Sequence, residues 1–317
     1  MASCESGNDV FVGNPMEIAF NANHISRALT QSDLDGGRAT VKVYGVQNNI
    51  TEIFNNVTIT RDNETGKWFP TTKRNWVEGS SYSFHGYAYN TTNGLTIESE
   101  KDGIEITVQQ PTTYSGATFI DYLLSHSFKV ADGAMKPLVP LHLEHAMTLV
   151  DIYIVRGNMF EARLKRIVFE NIYSGGKMKC TEQAITNSGA KNVWVVTPSG
   201  SRNAVYTYEP TPAIEITDDR ETTNARMSIM CLPQQLAAET KLTIVYEVNE
   251  KNTSEGADNY VEHTEEFQLY NYAPMNYLPG HHVVYTATVD SGVNLVGAVT
   301  DWKDVDYVEG TVLPEIK

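Results

Sequence analysis

Apolar residues recur along this chain with a period of two, the spacing of a strand with one buried face rather than the 3.6 of a helix. Ile18, Phe20 and Ala22 share one parity, as do Val41 and Val43, then Ile104, Ile106 and Val108. Further on, Leu242, Ile244, Tyr246 and Val248 make one such set, and Val283, Tyr285, Ala287 and Val289 another. Turn-forming clusters separate the runs: Asp35-Gly36-Gly37, Asp62-Asn63-Glu64-Thr65-Gly66, Asn93-Gly94 and Ser174-Gly175-Gly176. Many short strands with such punctuation predict an all-β protein of the sandwich or barrel kind. Helical signals are short, and Gln234 to Glu239 is the best candidate for a single turn.

A chain of 317 residues fits two domains of ordinary size. The segment Lys136-Pro137-Leu138-Val139-Pro140 holds two prolines, which disfavour regular structure and suggest the boundary. The expected division is therefore residues 1–138 and 139–317, each a β-sandwich. A long apolar strand, Leu141 to Val155, is expected to open the second domain. Its buried parity runs through Leu141, Leu143, His145, Met147 and Leu149, then shifts to Val150, Ile152 and Ile154. Such a shift implies a β-bulge or a strand buried on both faces.

Charge narrows the choice of partner. The formal net charge is −15 and is spread along the chain, so a phosphate backbone is a poor partner and nucleic-acid binding is not expected. Three cysteines, Cys4, Cys180 and Cys231, cannot build a disulfide framework, and no CxxC spacing occurs. Cys180 and Cys231 either pair or are buried free thiols. Cys4 follows Met1-Ala2-Ser3, and small residues before a cysteine are what a lipoprotein signal peptidase reads. The expectation is lipid on Cys4, as in a mature lipoprotein start; the alternative is an ordinary surface cysteine. Membrane attachment would then come from that lipid.

The chain offers little to catalysis. His142 and His145 are three apart in a predicted strand, so they should face opposite ways, whereas a zincin pair lies four apart on a helix. His145 is expected in or near the core and His142 at the surface; His281 and His282 should likewise point apart. No GxSxG, phosphate-binding loop or dinucleotide fingerprint occurs in its required setting. Acidic pairs such as Asp218-Asp219 and Glu265-Glu266 read as solvated charges. No metal, nucleotide or other cofactor is expected, and no enzymatic activity.

Five segments, in order, resemble the fimbrillin family of surface pilins from Bacteroidetes-type anaerobes. They are the Cys4 start with the strand Glu17 to Ala22 and then Ser26-Arg27-Ala28; Trp76 to Phe84; Val139 to Met147; Cys231-Leu232-Pro233-Gln234-Gln235-Leu236; and Leu278 to Tyr285 leading to Asp301-Trp302-Lys303-Asp304. Tyr277 stands where the family usually carries tryptophan just before its last Pro-Gly. The resemblance spans nearly the whole chain.

It implies two tandem transthyretin-like Greek-key sandwiches and export as a lipoprotein to the outer membrane. It also implies proteolysis after an arginine, which removes the first strand so that a neighbouring subunit can fill the groove. Arg27 matches the processing arginine, with Arg38 on a glycine-rich loop as the competing site. Met16, Ile18, Phe20 and Ala22 would be the groove-filling face. Val305, Tyr307, Thr311 and Leu313 share one parity near the chain end and would form the donor, although Glu309 interrupts that face. The partners implied are other fimbrial subunits, together with host or bacterial surface ligands. A different class is a monomeric surface lipoprotein that binds glycan or host protein through sandwich loops. Trp68, Trp76, Trp194 and Trp302 could then supply stacking surfaces, although tryptophans in sandwiches are more often core.

Overall fold

The structure, a computed structural model, describes residues 17–24, 40–89, 96–100, 103–112, 119–125, 128–157, 161–182, 192–220, 222–250, 259–272, 274–290 and 292–301. The first ten strands are β1 (Phe20–His24), β2 (Thr40–Gln47), β3 (Thr51–Arg61), β4 (Trp68–Pro70), β5 (Tyr82–Tyr89), β6 (Thr96–Glu100), β7 (Gly103–Gln109), β8 (Tyr122–Ser125), β9 (Phe128–Val130) and β10 (Val139–His145). Thirteen follow: β11 (Thr148–Arg156), β12 (Ala162–Ile172), β13 (Gly175–Glu182), β14 (Asn192–Pro198), β15 (Ala204–Tyr208), β16 (Ile214–Glu215), β17 (Arg226–Cys231), β18 (Gln234–Gln235), β19 (Lys241–Asn249), β20 (Tyr260–Gln268), β21 (Asn276–Tyr277), β22 (His281–Val289) and β23 (Val293–Asp301). Among the described residues helix is confined to two 3-10 turns, Gly133–Met135 and Leu269–Asn271.

The period-two pattern is what makes these strands. Leu242, Ile244, Tyr246 and Val248 of β19 all face a core, as do Val283, Tyr285, Ala287 and Val289 of β22. Strand β10 alternates strictly, with Val139, Leu141, Leu143 and His145 buried and His142 exposed. The two histidines thus point apart as expected. In β5 every residue is buried because the strand is covered on both faces. Tyr82, Phe84 and Ala88 pack into one cluster, and Tyr87 and Tyr89 into another.

In the first half the ladder runs β2-β3-β4-β1-β10-β8-β5-β9, and β2 also pairs with β5. The seven strands β2, β3, β4, β1, β10, β8 and β5 therefore close on themselves around the core of Ile18, Phe20, Phe54, Phe84 and Leu141. The second half packs the sheet β17-β11-β22-β23 against β15-β12-β19-β20, sandwich fashion, around Ile152, Ile167, Tyr206 and Tyr285. A third sheet, β14-β13-β7-β6, joins strands from both halves, with Met178 of β13 opposite Ile106 of β7.

Two local expectations need correction. The single strand from Leu141 to Val155 is two strands in different sheets. Strand β10 pairs with β1 and β8, whereas β11 pairs with β17 and β22. The parity shift marks the change of sheet at Ala146 and Met147, not a bulge within one strand. Both linking residues are fully buried: Ala146 N donates to Tyr122 O at 2.8 Å, and Met147 O accepts from Gly280 N at 2.9 Å. Gln234 to Glu239 is not a helical turn either. Gln234 and Gln235 are extended and pair with Tyr277 and Asn276, because the buried Gln234 amide is already bonded to neighbouring backbone.

Candidate functional site

Strand β1 seals the first core. Ile18, Ala19, Phe20 and Ala22 are at most 2% exposed. Phe20 packs edge-on against Phe54 and Phe84, with ring centroids 5.9 and 5.6 Å away, an arrangement that aromatic quadrupoles favour. On one side β1 runs parallel to β10 over five residues, Phe20 opposite Val139 and Ala22 opposite Leu141. On the other it meets β4 only at Phe20 and Trp68. Just before the strand, Ile18 N donates to Arg74 O at 2.8 Å, and Glu17 forms an isolated bridge with Asn75. The Lys73 ammonium lies 3.2 Å from the Glu17 carboxylate, but Lys73 is largely exposed, and such pairs contribute little.

The strand is thus a plug, long on one edge and barely attached on the other. Taking it out would open the ring between β4 and β10 and leave β10 with unpaired N–H and C=O groups beside an apolar trough. Burying Ile18 and Phe20 contributes roughly 3–6 kcal/mol at ~1.5–3 kcal/mol for each large apolar side chain. The alanines contribute less.

Of the predicted groove-filling residues, Ile18, Phe20 and Ala22 come together on the inner face of this core. Met16, the processing candidates Arg27 and Arg38, the lipidation candidate Cys4, and the donor residues Val305, Tyr307, Thr311 and Leu313 lie outside the described residues. Trp68 and Trp76 are buried in the same cluster. Cys231 is a free, buried thiol in the second core, and burial pushes its pKa well above the ordinary range.

Sequence reasoning missed the wall of the trough. Val139, Leu141 and Leu143 of β10 form it, although β10 had been assigned to the second half. Two strand glycines carried a signal, because an interior glycine marks close approach. A Cβ on Gly86 would lie 2.9 Å from Leu141 Cδ1, and one on Gly45 would lie 2.9 Å from Phe84 Cδ1.

Two buried histidines among the described residues each lie against a carboxylate. His145 Nδ1 sits 2.9 Å from Asp121 Oδ1, and His282 Nε2 sits 2.7 Å from Asp151 Oδ2, both pairs beside the crossover between halves. Among the described residues no group of three His, Cys, Asp or Glu is placed to hold a metal ion. No helix among them is long and apolar enough to cross a membrane.

A closed β-ring plugged by its first strand, joined to a β-sandwich, is the architecture on which the comparisons bear. The fimbrillin-like family profile matches residues 26–302, and the chain belongs to that family. This membership supports a fimbrial or adhesion role at the cell surface. The fold is shared with a candidate cell adhesion protein of Bacteroides uniformis ATCC 8492, at 16% identity and a TM-score of 0.55, over 90% of this chain and 99% of that one. A candidate cell adhesion protein of Bacteroides ovatus ATCC 8483 gives 16% identity and 0.49, over 92% and 99%. The tip fimbrial protein Mfa3 of Porphyromonas gingivalis, truncated at its C-terminus, gives 10% and 0.37, over 90% and 98%. No curated protein matches the chain.

Proposed function

We propose that this chain is a structural subunit, stalk or tip, of a surface fimbria that serves adhesion and assembles by strand exchange. The observation that carries the reading is the plug: β1 and the residues just before it fill the core with Ile18, Phe20 and Ala22, while β1 holds β4 at a single residue pair.

In this reading the precursor is tethered through lipid on Cys4 and is stable because β1 completes its first domain. The two domains are transthyretin-like sandwiches, the first extending through β10 and the second beginning at β11. Cleavage after Arg27, or after Arg38, leaves β1 held without a covalent link. The strand loses its high effective concentration, so a neighbour's segment bearing Val305, Tyr307, Thr311 and Leu313 competes for the trough. Backbone pairing along β10 supplies affinity, and alternate side chains supply register.

The experiment is the double change Arg27→Ala with Arg38→Ala, followed by treatment with an arginine-specific protease and electron microscopy. Filaments from wild type and none from the double variant are expected. Filaments of normal length and yield from the double variant would remove strand release at this site as the switch.

A further inference from the structure

The second half contains a cleft of about 510 Å3 whose walls come from four segments far apart in sequence. Tyr173 comes from the link between β12 and β13, and Arg202 from the turn between β14 and β15. Pro233 and Gln235 enter with β18, and Asn276 with β21. The cleft shares none of these residues with the trough that β1 fills.

The local structure fixes its floor. A register shift between Glu170 and Ile172, with Asn171 at φ 66°, re-aims the chain just before Tyr173. The buried Gln234 amide then holds the Tyr173 backbone from both sides. Gln234 Oε1 accepts from Tyr173 N at 2.9 Å, while Nε2 donates to Tyr173 O at 3.1 Å and to Leu232 O at 2.9 Å. Arg202 lies over the Tyr173 ring, its Cζ 4.8 Å from the centroid.

What the fold leaves unsatisfied is the guanidinium. Arg202 Nη1 is buried and has no hydrogen-bond acceptor, and no described carboxylate pairs with Arg202. Arg202 is otherwise partly exposed, and its remaining N–H groups make no hydrogen bond to a described residue, so it is this accessible edge of the guanidinium that is open to an anion arriving from outside. An arginine over an aromatic face keeps its N–H fork free for bidentate recognition of a carboxylate.

The rim narrows the class of ligand. Gln235 and Asn276 are exposed and directly opposite in an antiparallel pair, which puts their amides side by side. Each amide both donates and accepts, as do the hydroxyls of a sugar. The flanking Pro198 and Pro279, both partly exposed, offer apolar surface to a ring's C–H face. The volume lies within the ordinary range of small-ligand sites.

We propose that this cleft binds a carboxylate-bearing saccharide, with Arg202 taking the carboxylate and Gln235 and Asn276 taking ring hydroxyls. A peptide C-terminus would also satisfy Arg202 and the paired amides but brings no pyranose C–H face to the prolines, so a short peptide acid is the competing probe. Binding here is independent of strand exchange and would occur in the uncut chain.

Isothermal titration of the full chain tests it, with trigalacturonic acid, a hyaluronan tetrasaccharide and sialyllactose as probes. At least one should bind with one-to-one stoichiometry. Its methyl ester should bind about tenfold or more weakly, since the charge-assisted fork is lost. Arg202→Gln should weaken the acid to a similar degree with an unchanged circular dichroism spectrum, and Arg202→Lys should recover only part of the loss. Arg163→Gln, at an arginine that lies over Tyr260 instead, should change nothing. The proposal is overturned if none of the three binds at millimolar concentration, or if acid and ester bind equally. It also fails if Arg202→Gln leaves affinity intact, or if a short peptide acid binds more tightly than every saccharide.

Discussion

Replacing Phe20 by alanine should separate the precursor from the assembled subunit. Phe20 is fully buried, touches Phe54 and Phe84 edge-on, and sits opposite both Val139 and Trp68. Truncating such a residue typically costs about 3–5 kcal/mol through lost burial and the cavity left behind. The uncut chain should lose roughly that much in urea unfolding, followed through Trp68 and Trp76, which lie in the same core. Once the chain is cut, the same loss should shift release of the β1 fragment by about a hundred- to a few-thousand-fold, at 1.4 kcal/mol per factor of ten. Polymer stability should not change, because Phe20 has left with the plug. Phe84→Ala is the control: Phe84 remains in the subunit, also fully buried, and should weaken precursor and polymer alike. A polymer made from Phe20→Ala that melts as early as its precursor would refute the reasoning, since β1 would then still be present.

Gly45→Ala should destabilise the first half by about 1–3 kcal/mol, because its Cβ would lie 2.9 Å from Phe84 and 3.0 Å from Phe54; urea unfolding measures it. Cys231 should resist a thiol reagent in the native chain and react only after denaturation, since burial holds its pKa far above the working pH. Asp62 accepts hydrogen bonds from Thr65 and Glu64, which lower its pKa below the ordinary 3.8. Its contribution should therefore be complete above about pH 3.8 and disappear only as pH falls through the lower folded value, so Asp62→Ala should flatten the acid limb of a stability–pH curve and leave its shape near neutrality unchanged. Cys4→Ala should move the protein from the membrane fraction to the soluble fraction when expressed in a lipoprotein-exporting cell.

The inner faces of the long strands were legible because one buried face imposes a period of two, and β19 and β22 show it without interruption. The same rule separated His142 from His145. What the pattern could not give was sheet membership. Leu141 to Val155 is apolar throughout, and a chain that passes from one sheet to another looks, in one dimension, like a bulged strand. Prolines misled for a related reason: Pro140 lies inside β10, where it pairs with Asn21 of β1 rather than breaking the strand. The trough was half legible. Ile18, Phe20 and Ala22 announced a buried strand, but only the fold shows that its neighbour is β10, from more than a hundred residues away. The Arg202 cleft was invisible in the sequence, because its four segments have no shared pattern.

The central claim is that the assembled subunit lacks its first strand. Purified filaments, dissolved and analysed by intact-mass and N-terminal peptide spectrometry, test it directly. The account predicts subunits that begin at Ala28, or at Ala39, with no peptide spanning residues 17–24. Filaments whose subunits keep Ile18 to Ala22 covalently attached would contradict it.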